Sequence, residues 1–176
     1  MGVPLFTTEC PQGVYQIAFE ITEDMINETG RMSIGALARQ MQHITESHFN
    51  QEAGLTGEAL LAKGLSWVIS WTNIELLRLP EKGEQVILGI WPGKNKVNLY
   101  SRIYAMYTAD GEPLMATSSL FLLMDQNTRT VAAQPEEMKI LNPIVVRGEP
   151  NLPKLQQRFP AVYRNQMQRT VSTEEI

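Results

Sequence analysis

His43 and His48 are the only imidazoles in this chain of 176 residues. They stand five apart, one step off the four-residue interval that sets two imidazoles on one helix face, so no metal site is expected. His48 falls on an apolar stripe with Ile34, Leu37, Met41 and Ile44, a setting in which burial favours the uncharged form of an imidazole. A neutral ring there has two readings, a general base toward an attacking water or a core histidine satisfied by a backbone carbonyl. Glu46 lies two residues earlier, about 160° round the same helix, on a face shared with Arg39, Gln42 and Asn50. A carboxylate on that face is solvated unless a partner surface meets it.

Other chemistries lack their residues. Cys10 is the sole cysteine, which excludes an internal disulfide and a cysteine zinc site. It sits in a Thr-Glu-Cys-Pro leader before the first strand, with nothing adjacent to activate it, and reads as an inert thiol. Gly54-Leu55-Thr56-Gly57 lacks the Lys-Ser/Thr of a phosphate loop and follows no strand. A Gly-x-Ser-x-Gly elbow is absent. No cofactor is implied.

The elements that would carry His48 and Glu46 follow from periodicity. Val14–Ile21 alternates, with Tyr15, Ile17, Phe19 and Ile21 on one face, and reads as a half-buried strand. Ser33 can cap a helix from about Ile34 to about Ala53, roughly 30 Å long, with Gly54 as its stop. A short helix over Gly57–Lys63 follows. Strands are then predicted at Trp67–Leu77, Gln85–Trp91, Asn98–Thr108 and Leu114–Met124, parted by Pro80-Glu81-Lys82-Gly83, Pro92-Gly93 and the hairpin signal Asp110-Gly111. Loops this short favour an antiparallel meander. One strand, a long apolar helix and a run of strands place the chain in the α+β class.

Length and 43% apolar content suit one domain with its own core. The expected division is a leader over 1–13, a domain over 14–138, and an irregular Pro-containing basic tail or linker over 139–176. Residues 1–138 carry nine basic and sixteen acidic side chains, and residues 139–176 six and three. A net negative body argues against nucleic acid as a partner. No apolar run has the roughly 18 residues needed to cross a bilayer, the N-terminus has no signal-peptide pattern, and Phe6 replaces the Ser or Thr of a myristoylation motif. A cytoplasmic chain with no membrane partner is expected.

Gly64-Leu65-Ser66-Trp67-Val68-Ile69, Ile74-Glu75, Pro80, Gly83-Glu84 and Trp91 together resemble the core signature of acyl-ACP thioesterases. Asp110-Gly111-Glu112, Ala116-Thr117-Ser118-Ser119, Met124-Asp125 and Thr128-Arg129 continue it in order. Upstream, Gly30-Arg31-Met32-Ser33, Gln42, His48 and Gly54-Leu55 fit the family's first helix. The resemblance covers about residues 14–138. It implies a hotdog fold, an antiparallel sheet wrapped around one long central helix. It also implies a family of two hotdog domains, the first shaping the acyl pocket and the second carrying catalytic Asp, Asn and His in an Asp-x-Asn-x-His-Val-Asn-Asn type segment. No such segment occurs in these residues, so that catalytic set is not carried over.

The resemblance adds roles to the candidates. Some hotdog thioesterases use a carboxylate on the central helix, which points to Glu46. Others place a catalytic acid in the loop before that helix, where Asp24-x-x-Asn27-x-x-Gly30-Arg31 stands, and the alternative for Asp24 and Asn27 is a plain polar turn. The helix N-terminus near Ser33–Gly35 could polarise a thioester carbonyl. Met41, Ile44, Trp67 and Trp71 are the expected acyl-pocket residues, and ordinary core packing accounts for them equally. The implied substrate is acyl-ACP or acyl-CoA, hydrolysed by water without metal or cofactor, in a homodimer or higher homo-oligomer that restores the second hotdog. The rival is a non-catalytic acyl-thioester-binding or assembly domain. A hotdog dehydratase is a third reading, resting on His48 alone.

Overall fold

The computed structural model describes residues 14–132 apart from 55 and 94–97. Cys10, the 1–13 leader and the 139–176 tail lie outside the described residues. The chain runs β1 (Tyr15–Glu20), a single 3₁₀ turn (Glu23–Met25), α1 (Ile34–Ala53), α2 (Gly57–Ala62), β2 (Leu65–Leu76), β3 (Gln85–Pro92), β4 (Tyr100–Thr108) and β5 (Pro113–Asp125).

Local chemistry sets the limits of α1. Ser33 is extended, and its Oγ accepts from the free Ala36 N–H at 3.1 Å, which satisfies one of the unpaired donors of the first turn. At the other end Gly54 takes the left-handed conformation, φ 60°, and its N–H donates to Asn50 O at 2.9 Å. Thr56 caps α2 in the same way, its Oγ1 accepting from Ala59 N. Both helix starts therefore sit where the side-chain oxygens predict.

The five strands form one antiparallel sheet in the order β1-β3-β4-β5-β2. This corrects the expected four-strand meander: only β3, β4 and β5 form one, whereas β2 and β3 are not neighbours. The link between them, residues 77–84, runs along the end of the sheet across three strand spacings, about 14 Å, well within the reach of eight residues. Arg78 holds this link in place. Its guanidinium donates to both oxygens of Glu84, at 2.8 and 2.9 Å, and to Glu112 at 3.0 Å. Pairing β2 with β5 sets Trp67 and Ile69 across from Leu123 and Phe121.

The sheet's inner face and α1 enclose the core. Leu37, Ile44, Leu88, Ile90, Tyr104 and Met106 are buried in its main part, and Phe49, Leu60, Tyr100, Phe121 and Leu123 in a second cluster under α2. Trp67 joins the second cluster, stacked on Phe49 at 5.0 Å and edge-on to Tyr100 at 5.0 Å. No helix among the described residues is long and apolar enough to cross a membrane.

β2 changes face partway along. Trp67 and Ile69 lie opposite Leu123 and Phe121, but Trp71 lies opposite Leu120, so Ser70 is the extra residue of a bulge. Directly paired residues share a sheet face. Phe121 and Leu123 are buried, whereas Leu120 and Leu122 are half-buried on the outer side. Before the bulge the odd-numbered residues of β2 point inward; after it, Thr72 and Ile74 do.

Candidate active site

A cavity of about 780 Å³ lies between α1, α2 and β2, within the size range of small-molecule sites. From α1 it is lined by Ala38, Met41, Gln42, Thr45, Glu46 and Phe49. These recur at intervals of three and four, so they form one stripe along about 16 Å of helix. Leu60 and Leu61 of α2 close one end. Opposite α1 stand Trp67, Ile69, Thr72 and Ile74 of β2, while Tyr104, Ser119 and Phe121 form the floor. The wall is mostly apolar. Its polar groups are concentrated at Gln42–Glu46 on the rim and in a row of hydroxyls across the floor.

Glu46 is exposed, and its Oε1 accepts from Gln42 Nε2 at 3.2 Å. The two side chains are one turn apart, so this bond holds the carboxylate over the α1 side of the opening. Deeper in, Thr45 Oγ1 donates to Met41 O at 2.6 Å and meets the Tyr104 hydroxyl at 2.7 Å. Burial pushes the Tyr104 phenol up to about 12, against smaller opposing effects from Thr45, Arg102 and Ser119. Tyr104 is therefore a protonated hydrogen-bonding group at neutral pH. Thr72 Oγ1 lies 2.9 Å from Ser119 Oγ.

The sequence candidates are distributed over separate places. Glu46, Met41 and Trp67 line the cavity. His48 is 2% exposed on another side of α1, its ring centroid 5.8 Å from that of Tyr15 in β1, and is not among the lining residues. Ile44 is fully buried in the main core rather than in the cavity wall. The Ser70 bulge turns Trp71 to the outer face, which separates it from Trp67.

Asp24 and Asn27 belong to the turn ahead of α1, away from the cavity lining. Asp24 accepts from Thr22 Oγ1, and that bond, with a backbone N–H, holds its carboxyl below the usual range. Asn27 Oδ1 accepts from Thr29 N at 2.9 Å and Thr29 Oγ1 at 2.6 Å. These are bonds that shape a turn. Among the described residues no cluster of His, Cys, Asp and Glu could hold a metal ion.

Sequence reasoning missed Thr45, Tyr104, Ser119, Thr72 and Phe49. The α1 members carried a signal, because Ala38, Met41, Gln42, Thr45, Glu46 and Phe49 share a helical stripe beside the core stripe. The sheet members carried none, since their inward direction depends on the bulge and on pairing.

Comparison with known proteins agrees with this architecture. The profile of the acyl-ACP thioesterase N-terminal domain matches residues 12–141. The palmitoyl-acyl carrier protein thioesterase, chloroplastic, of Gossypium hirsutum is 26% identical over 142 residues, which cover 75% of this chain and 34% of that protein. The crystal structure of a putative oleoyl thioesterase from Lactobacillus plantarum superposes with a TM-score of 0.70 at 26% identity, covering 85% of this chain and 58% of that one. The 12:0-ACP thioesterase from Umbellularia californica superposes with a TM-score of 0.66 at 24% identity, covering 84% and 57%. The hotdog arrangement is thus shared, and the chain spans about a third of the length of the curated relative it matches.

Proposed function

The chain belongs to the acyl-ACP thioesterase family, matching its N-terminal domain, and from that premise we propose that it binds acyl thioesters and hydrolyses them. The observation that carries this reading is the apolar cavity of about 780 Å³ with a carboxylate at its rim. A buried methylene contributes about 0.8 kcal/mol, so an acyl chain laid along the α1 stripe would be held chiefly by Met41, Phe49, Leu60, Trp67 and Phe121. The carrier is ACP, as in the relatives' printed names, with CoA as the competing thioester.

Glu46 is the one carboxylate among the described residues that line this cavity. In the proposed reaction its carboxylate takes a proton from a water molecule as the water oxygen bonds to the thioester carbonyl carbon. The tetrahedral intermediate then expels the thiolate, which receives the proton from Glu46 and leaves as the free thiol. Gln42 orients the carboxylate through its hydrogen bond. His48, Asp24 and Asn27 serve the fold in this scheme.

β2 lies at the sheet edge, paired with β5 on one side. Ile69, Leu76 and Leu77 are exposed along or just beyond it. An open edge flanked by apolar side chains needs cover, and the proposed cover is a second copy of the chain, pairing β2 with β2 to make a homodimer. Light scattering at micromolar concentration tests this; a monomer mass would remove it.

A second reading, acyl binding without hydrolysis, is favoured by the dispersal of the four candidate groups, of which Glu46 alone reaches the cavity. The deciding experiment measures thiol release from acyl-ACP and acyl-CoA series by wild type, Glu46→Gln and His48→Ala. Release lost in Glu46→Gln alone supports the hydrolase. Release lost in neither variant would sink Glu46 as the base. Binding without release from any substrate favours the second reading.

A further inference from the structure

Arg102 is fully buried in β4, paired with Ser119 of the cavity floor. Directly paired residues share a sheet face, so its side chain points toward α1. The guanidinium Cζ lies 4.4 Å from the centre of the Phe49 ring. Its Nη1 donates to Ser101 O at 3.0 Å, which ties the group to β4. Phe49 in turn stacks on Trp67, with 5.0 Å between centroids and 16° between planes. Cation, phenyl and indole thus form one continuous contact from β4 through α1 to β2.

Phe49 and Trp67 line the cavity, and Arg102 is not among the lining residues. A buried guanidinium is a costly way to fill space, because an apolar side chain of like volume is often neutral or stabilising in its place. What the apolar side chain lacks is a directed hold on an aromatic face. The ring quadrupole draws a cation to that face, and the attraction grows where water is excluded. A cation held over Phe49 fixes the plane of the ring, and the stack carries that plane to Trp67 in the cavity wall.

We infer that Arg102 is a positioning residue for the acyl site, acting through Phe49 to set the plane of the aromatic wall against which the chain lies. The inference rests on the reading of the cavity as the acyl site and adds to it a residue outside the lining.

The test is calorimetric titration of the full chain with S-hexadecyl-pantetheine, a thioether that cannot be hydrolysed. Arg102→Met, close in volume, should weaken binding about five- to tenfold, the range a desolvated cation–π contact allows. Phe49→Leu removes the ring, and adding Arg102→Met to it should cost nothing further, because the guanidinium then has no face to hold. Arg102→Lys keeps a cation in place and should bind more tightly than Arg102→Met. Fluorination leaves side-chain volume nearly unchanged but draws charge from the ring face. With phenylalanines of rising fluorine content at position 49, affinity should fall step by step in an otherwise wild-type chain and stay level with Arg102→Met. This series also carries the test should Arg102→Met fail to fold. Unchanged binding in Arg102→Met, an equal loss with and without the ring, or a level response to fluorination in the chain that keeps Arg102 overturns the positioning role and leaves the acyl cavity standing. No binding by the wild type overturns both.

Discussion

Glu46 and His48 stand two residues apart in α1 and face different surroundings: Glu46 lines the cavity with Gln42 bonded to its Oε1, while His48 is packed against Tyr15 of β1. The first replacement should therefore be read in catalysis and the second in stability. Glu46→Gln should lower kcat about 100-fold or more, the usual contribution of a positioned base, with little change in melting temperature. His48→Ala empties a fully buried site and should destabilise by about 2 to 4 kcal/mol, with kcat per folded molecule close to wild type. Steady-state kinetics alongside urea unfolding separates the two. A catalytic loss in His48→Ala without loss of stability would reverse the assignment.

Trp67 and Trp71 are parted by the Ser70 bulge. Trp67→Ala should raise KM for long-chain substrates at least tenfold, because it opens the aromatic wall formed with Phe49 and Phe121. Trp71→Ala should leave KM near wild type. Deleting Ser70 removes the extra residue and leaves Trp71 opposite Leu120, Thr72 opposite Ser119 and Ile74 opposite Thr117, so every face is kept. That variant should keep acyl binding near wild type, and a lost cavity would show that the bulge itself shapes the wall.

Arg78 ties the β2–β3 link to Glu84 and Glu112. Its hydrogen bonds hold the Glu84 carboxyl below the usual glutamate range, assisted by the Glu81 N–H and opposed by partial burial. A depressed folded-state pKa contributes stability above the unfolded glutamate range and loses it as pH falls through the lower folded value. The wild type should thus shed this contribution on acidification below the usual glutamate range, while Arg78→Ala lacks it throughout. Denaturation midpoints of the two should differ at pH 7 and converge in acid. Both side chains are about a third exposed, so the difference should also shrink with added salt.

Gly93 follows β3 where the backbone crosses beside β4. A Cβ built there would stand 2.5 Å from Ser101 Oγ and 3.0 Å from Ser101 Cβ, and the Gly93 N–H donates to Ser101 O at 3.0 Å. Gly93→Ala should cost about 1 to 3 kcal/mol through overpacking. Adding Ser101→Gly removes the clashing atoms and should recover part of the loss. Thermal melts of the single and double variants check it, and an unchanged melting temperature in Gly93→Ala would show that the strands part without cost.

Much of this molecule was legible before folding because the relevant interactions are local. Ser33 and Gly54 bound α1 through bonds made within four residues, and alternation in β1, with strand-rich runs and turn signals for the rest, located every strand to within two residues. The wheel of α1 also separated His48 from Glu46, since 100° per residue is a property of the helix alone. The likeness of Gly64–Ile69 and its companion motifs to acyl-ACP thioesterases pointed to the fold and family that the profile match supports.

Strand order, the bulge and the cavity belong to tertiary structure. Nothing near Leu77–Glu84 states that the chain crosses the sheet end instead of turning back; that is set by the pairing of β2 with β5, between segments 30 or more residues apart. Ser70 looks like any strand residue, and it becomes the extra one only against the register of β5. Glu46 reads as solvated on the wheel, because a helix records angles between its own side chains and not what stands opposite them. Only the packed sheet sets Trp67, Thr72 and Tyr104 across from α1 and makes that polar face the rim of an apolar cavity.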